Sequence, residues 1–368
     1  MKKYLSSLLC LLLGLTVFTA CGDDNNYLPG RTYSVVADGV FIVNEGSYYS
    51  QINGSLDYLN YNTETVNRGI FKSANARSLG GTPNNAVLAN QELYVACTDE
   101  NRVEVINDST YKSVAQVSVT SPREVATDGD YVYVTSYTGK VSKIDAKTHQ
   151  IAKTSNTLGS HLEGIVVLNG YIYVCNSTDA TKQYTDPDYY LSTVLRINKS
   201  TLAVEKEITV EKNPTELLTD GTYVYVLCSG NYSDVKACLE RISKYNDSVT
   251  KITDATMMAY DDGNNLYYVN APYGVTPTYG VYNVTAQTTA SLSIEGPKFP
   301  YSIGADPVSG DIFIAALSPN PDYPSSASYT TDGALYRYSS AGALKKKYTI
   351  GVNPGTLVFK SHAQVIYK

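Results

Sequence analysis

The chain contains no tryptophan, and its 368 residues include only three histidines. Without tryptophan it lacks the side chain on which sugar faces commonly stack, so a glycan-binding role has little support. Of His149, His161 and His362, the first falls in a turn between two strand-like runs. No H-E-x-x-H, G-x-S-x-G, phosphate-cradling glycine loop or dinucleotide fingerprint occurs, so nothing in the sequence points to catalysis. No basic run is present and the formal charge is −6, which argues against nucleic acid and anionic headgroups as partners. Helical periodicity of useful length is also missing. Beyond residue 20, no apolar run reaches the roughly 20 residues that a bilayer-spanning helix needs.

The N-terminus has a character of its own. Lys2 and Lys3, an apolar run over 5–18 and the exit "VFTAC" read as a secretory signal peptide over residues 1–20. A signal that ends at a cysteine resembles a bacterial lipoprotein signal, which implies lipidation of Cys21. An ordinary signal followed by a chance cysteine is the alternative. The next residues, "GDDNN", resemble the acidic tag that sends some lipoproteins to the cell surface. The resemblance implies a protein of the outer membrane, exposed at the cell surface and held by acyl chains alone. On this reading residues 21–37 are a lipidated linker and residues 38–368 one domain. The remaining cysteines, Cys97, Cys175, Cys228 and Cys238, match no zinc spacing. Cys228 and Cys238 flank one loop, so a hairpin disulfide would suit an oxidising compartment. The alternative is that all four pack as small hydrophobes.

A repeat runs through the rest of the chain. A turn followed by a short tyrosine- and valine-rich strand reads "DGVFIVN", "NQELYVAC", "DGDYVYVTS", "NGYIYVCN", "DGTYVYVLC", "GNNLYYVN" and "SGDIFIAA". Each copy is preceded by a strand that often opens with proline and followed by two more strands. Four short strands per roughly forty residues is the pattern of a β-propeller. The opening strands begin near Pro83, Pro122, Leu162, Pro214, Thr256 and Pro300, with a seventh at Asn353. Blade one has no opening strand before Val40, so the C-terminal strand completes it and removes the free edges. The expected fold is an all-β, seven-bladed propeller closed by its last strand. Six or eight blades, or two sandwiches, fit the spacing less well.

The repeat resembles the YVTN/YncE-like propellers. Within them, "FIVNEGSYYSQINGSLDYLN" from Phe41 resembles the opening of a surface-lipoprotein branch that includes the BtuG-type cobalamin-capturing proteins. This resemblance implies a non-enzymatic lipoprotein that needs no cofactor. It would capture a nutrient, cobalamin (vitamin B12) foremost, and pass it to a TonB-dependent outer-membrane transporter.

The residues themselves indicate where binding would occur. In a propeller the tight "DG" turns lie on one face, while the loops joining strands two and three share the other. Here the second set is long: 45–53, 176–193, 229–237, 270–279 and 317–333. Long loops on a rigid scaffold commonly carry function, and tyrosine is favoured in binding loops because it gives flat contact area at low entropic cost. The candidate ligand-binding residues are Glu45, Tyr48, Tyr49, Arg123, Tyr137, His161, Tyr189, Tyr190, Tyr232, Tyr273, Tyr301 and Tyr323. The chain has 34 tyrosines, however, and those within strands, such as Tyr133, Tyr173 and Tyr225, are expected to pack between blades. Two other readings stay open. The tyrosine face would equally serve a protein–protein adaptor. Asn84, Glu124, Glu163 and Glu216, with Glu45, could surround a calcium ion as in lactonase-type propellers. Against that, the same acids could pair with Arg123 or face channel water.

Overall fold

The computed structural model describes residues 31–367; residues 1–30, with the signal peptide and Cys21, lie outside the described residues. Residues 35–362 form one compact unit. A small second unit comprises the described residues 31–34 and 363–367, which continue the strands Arg31–Asn44 and Pro354–Tyr367.

The larger unit is a seven-bladed β-propeller of four-stranded antiparallel sheets arranged in a ring. Six blades run in simple chain order from an inner first strand to an outer fourth. Their inner strands are Pro83–Ala89, Pro122–Thr127, His161–Leu168, Pro214–Thr219, Met257–Tyr260 and Pro300–Ala305. Blade one is composite: Pro354–Tyr367 lies beside Arg31–Asn44, followed by Ser55–Asn60 and Thr65–Asn67. The last strand therefore closes the ring, as the repeat count requires. Among the described residues, no helix is long and apolar enough to cross a membrane.

Hydrogen bonding explains the repeat signature. In "DGDYVYV" the Asp128 carboxylate accepts the Tyr131 backbone N–H at 2.9 Å and the Tyr133 hydroxyl at 3.0 Å. Asp220 does the same for Tyr223 at 2.6 Å and Tyr225 at 2.8 Å. One aspartate thus caps the turn and grips the second tyrosine of the following strand. That second aromatic is a core residue. Phe41, Tyr94, Tyr133, Tyr173, Tyr225, Tyr267 and Phe313 are almost fully buried, one in the second strand of each blade. Each sits in a different one of seven apolar clusters, which join consecutive blades. Burying one such ring is worth about 2–3 kcal/mol, so this repeated position contributes to every blade-to-blade contact.

Blade one departs from the expected boundaries. Its second strand begins at Arg31, well before Asp38, because it runs alongside the long closing strand. The first "DG" is consequently no turn. Asp38 and Gly39 lie inside the strand, where a Cβ on Gly39 would come within 2.6 Å of the Tyr58 hydroxyl. Asp38 instead meets His362 Nδ1 at 2.7 Å, tying the second strand to the closing one. A short helix, Ile70–Asn75, also links blades one and two and buries Ile70 and Phe71 between them.

Candidate functional site

Most inner strands share an irregularity that builds the site. Five of the pairings shift register near their start, between Pro83 and Asn85, Pro122 and Val125, Leu162 and Ile165, Pro214 and Glu216, and Pro300 and Ser302, while that of Met257–Tyr260 stays regular. The residue before the proline holds a left-handed backbone, with φ of 45° at Thr82, 46° at Ser121, 60° at Asn213 and 53° at Asn353. Such bulges re-aim side chains, and proteins place them beside functional sites. Here they fall at Asn84, Arg123, Glu124, Glu163, Thr215 and Tyr301. All of these keep partial solvent contact on the innermost strands of a closed ring.

Two of these side chains and their neighbours form a connected floor. Arg123 donates to Glu163 through Nε at 2.9 Å and Nη2 at 3.3 Å, joining blades three and four. Tyr137, from the loop after strand two of blade three, donates its hydroxyl to the same carboxylate at 2.6 Å. The guanidinium lies over the Tyr137 ring, 4.4 Å from its centroid, a cation–π contact. His161 packs on the other partner, with ring centroids 4.5 Å apart, and holds Thr178 Oγ1 with Nδ1 at 2.9 Å. Burial keeps this imidazole below its ordinary pKa; Glu163 opposes the shift and Arg123 adds to it. The ring is therefore neutral at pH 7, with Nε2 left for another partner.

A second group adjoins the first. Tyr189 and Tyr190 meet edge to face at 4.9 Å, and Tyr190 meets Tyr232 at 5.8 Å, linking the long loops of blades four and five. Tyr189 lies near enough to Tyr137 to help raise its pKa, behind burial and the Glu163 charge and against the Arg123 charge. On the blade-one side, Tyr301 donates to Glu45 at 2.8 Å. Burial raises the Glu45 carboxyl, while the Tyr301 hydrogen bond and the nearby Arg123 charge pull it down in part. Gly355 makes room for it: a Cβ there would sit 2.1 Å from Glu45 Oε1.

Arg123, Tyr137, His161, Tyr189, Tyr190 and Tyr232 thus come together, with Glu45 and Tyr301 alongside. Four other candidates stand apart. Tyr48 and Tyr49 touch each other at 5.5 Å, and Tyr49 is 96% exposed. Tyr273 is 97% exposed and Tyr323 70%. Among the described residues, no aromatic contact joins these four to the floor. The central partner, Glu163, is one of the acids expected either to surround a calcium ion or to pair with Arg123, and it pairs; Thr178 was missed. Glu163 could have been found by aligning the repeats, since it occupies the Arg123 position one blade on. Thr178 had no such signal.

The acids deeper in the channel behave differently. Burial raises Glu216 to about 7, and no hydrogen-bond donor among the described residues meets it. Burial likewise raises Glu124 well above its usual range, helped by the Glu216 and Glu163 charges and opposed by Arg123. A calcium centre does not fit this arrangement. Glu163 is committed to Arg123 and Tyr137, and Glu45 to Tyr301. No set of three acid, histidine or cysteine side chains among the described residues is grouped to hold a metal ion. The cysteines are equally plain: Cys228 and Cys238 face each other on adjacent strands but are unbonded, and all four described thiols are free and buried.

The turn face has a hollow of its own, a 520 Å³ cavity between blades two and three lined by Glu92, Asp130, Asp145 and His149. Its polar groups are largely spent on one another. His149 Nε2 lies 2.7 Å from Glu92, and Asp145 caps its own turn through Lys147 and Thr148 N–H. The loop face, where the Tyr189, Tyr190 and Tyr232 hydroxyls make no hydrogen bond among the described residues, is the better candidate.

Comparison with known proteins supports the fold. The structure resembles a Bacteroides uniformis protein provisionally named a 6-phosphogluconolactonase, with TM-score 0.63 and 13% identity over 88% of this chain and 100% of that one. It also resembles a quinonprotein alcohol dehydrogenase-like protein of Bacteroides thetaiotaomicron, with TM-score 0.60 and 15% identity over 89% and 79%. At such identities the likeness establishes architecture alone. No curated protein sequence matches the chain. Residues 38–360 match the family described as "Domain of unknown function (DUF5074)", and the chain belongs to that family.

Proposed function

We propose that this member of the DUF5074 family is a binding protein and not an enzyme, and that its ligand sits on the tyrosine-rich loop face. The observation that carries the reading is the connected floor of Arg123, Glu163, Tyr137 and His161, continued by Tyr189, Tyr190 and Tyr232. It offers flat aromatic area, phenolic hydroxyls and a neutral imidazole, while its one cation is already neutralised. Such a surface suits a large, flat, largely uncharged molecule with hydrogen-bonding groups at its edge. Cobalamin has that character, and the repeat's resemblance to cobalamin-capturing lipoproteins points the same way. On this reading the chain is exported, anchored through Cys21 in the outer membrane, and hands its ligand to a TonB-dependent transporter. Titration calorimetry of the purified chain with cyanocobalamin should give saturable heat at micromolar concentration. No heat and no mobility change would remove cobalamin from the proposal.

A second reading, a protein–protein adaptor, draws on the near-complete exposure of Tyr49 and Tyr273, away from the floor. Affinity capture from membranes separates the two. A transporter recovered with the chain, and no small ligand bound, favours the adaptor.

A further inference from the structure

We propose that Cys228 and Cys238 form a disulfide that locks the base of the Tyr232 loop. The two residues are directly opposed partners on the antiparallel strands Tyr223–Cys228 and Cys238–Ser243. Opposed residues of such a pair have Cα atoms about 4.5–5.5 Å apart, within the range a disulfide spans. Each thiol lies in the other's hydrogen-bonding environment, and contact with Cys238 heads the causes that raise the Cys228 pKa.

The position gives the bond a purpose. Residues 229–237 form the loop that it would close. Within that loop the Asn231 side chain accepts the Ser233 and Val235 N–H groups and donates to Asp234 at 2.7 Å. Tyr232, at φ 56°, is thereby held out toward Tyr190. The tip is ordered by its own hydrogen bonds, and the base by the strand pair and by the Ser229 and Gly230 N–H groups on the Asn213 and Lys212 carbonyls. Closure would add a covalent tie at the base.

Both sulfurs are buried, at 0% and 1% exposure, so an oxidant reaches them before blade five packs or when it opens. The chemistry is thiol–disulfide exchange with a small disulfide. One thiolate attacks it and releases a thiol, then the second thiol displaces the mixed disulfide. Two protein thiols are oxidised, and the donor is reduced to two thiols. Cys175 shares the same apolar cluster and is the natural competitor.

The test is refolding of the full chain from denaturant in a mixture of oxidised and reduced glutathione, followed by thiol blocking and tryptic mapping. The expected result is that peptides 213–236 and 237–241 run as one species, two mass units lighter than their sum. Dithiothreitol should separate them and lower Tm by roughly 5 °C. A Cys175→Ala chain should give the same linked pair. Two separate peptides after oxidative refolding, or a link from Cys228 to Cys175, would overturn the proposal. This outcome is independent of whether cyanocobalamin binds.

Discussion

Asp128 and Asp145 on the turn face and three glutamates around the channel are pushed in opposite directions. On the turn face, burial alone would raise Asp128, but Lys199, the Tyr131 N–H and the Tyr133 hydroxyl outweigh it and hold it low. Asp145 is likewise held low, first by the Thr148 N–H. In the channel and on the loop face, Glu45, Glu124 and Glu216 are all raised, with burial the leading cause. The turn-face acids stabilise their charged forms with donors supplied by the repeat itself. The channel acids are enclosed without enough donors, which costs stability. One face holds the fold together, while the other keeps polar groups available.

The largest effect should come from the turn face. Asp220→Ala removes the acceptor for the Thr222 and Tyr223 N–H groups and strands the Tyr225 hydroxyl at the edge of a core cluster. Losing these bonds should cost about 2–4 kcal/mol in denaturant unfolding. Affinity per folded molecule should not change. A loss of ligand with unchanged stability would reverse the division between the faces.

Glu216→Gln should act with the opposite sign. The folded pKa of about 7 lies above the unfolded value near 4.5. Between these the folded state binds more protons, so stability falls as pH rises through this window, and the penalty is complete above pH 7. Replacing the acid should flatten that slope and add about 1–3 kcal/mol at pH 8, allowing for channel water, with little change at pH 4. Stability curves for the two proteins at several pH values decide it. A variant that is less stable at pH 8 would mean that the carboxylate has a partner.

Tyr137→Phe separates floor from scaffold on a smaller scale. It removes the hydroxyl that shares Glu163 with Arg123 and leaves the ring under the guanidinium. If the floor binds cyanocobalamin, affinity should fall about 5- to 10-fold, the worth of one hydrogen bond, with Tm nearly unchanged. Full affinity in the calorimeter would place the ligand elsewhere on the face.

The fold was far more legible than the site, for a physical reason. The aromatic of the second strand recurs because one core position is used in every blade, so the sequence displays it seven times, and the turn that precedes it is reinforced at Asp128 and Asp220 by one shared hydrogen-bond pattern. The inner-strand starts expected near Pro83, Pro122, Leu162, Pro214, Thr256 and Pro300 fall within one residue of those observed. Site residues carry no such redundancy. Arg123 finds Glu163 forty positions away because two blades place their bulges side by side, and no local pattern announces that partnership. Glu45 owes its place to a glycine in the closing strand, Gly355, where other blades carry Asn84, Arg123, Thr215 or Tyr301. Comparing repeats for what is missing at that position would have drawn attention to it.

The smallest expected effect concerns the blade-one loop. Tyr48 is 70% exposed and Tyr49 nearly fully so, and among the described residues each is the other's sole aromatic partner. Side chains so exposed bury little, so Tyr48→Ala/Tyr49→Ala should leave stability within about 0.5 kcal/mol. Any larger change would mean that the pair packs against the scaffold. Affinity is the informative axis. The loop itself is anchored, since Glu45 N–H bonds the Asn353 carbonyl at 2.8 Å and Gly46 N–H the Val352 carbonyl at 3.1 Å. The two rings are therefore presented from a fixed base. A drop in cyanocobalamin affinity at unchanged Tm would extend the ligand's footprint from blades three to five across to blade one. Unchanged affinity would confine it to the Arg123–Tyr232 side and free the Tyr48–Tyr49 pair for a macromolecular partner.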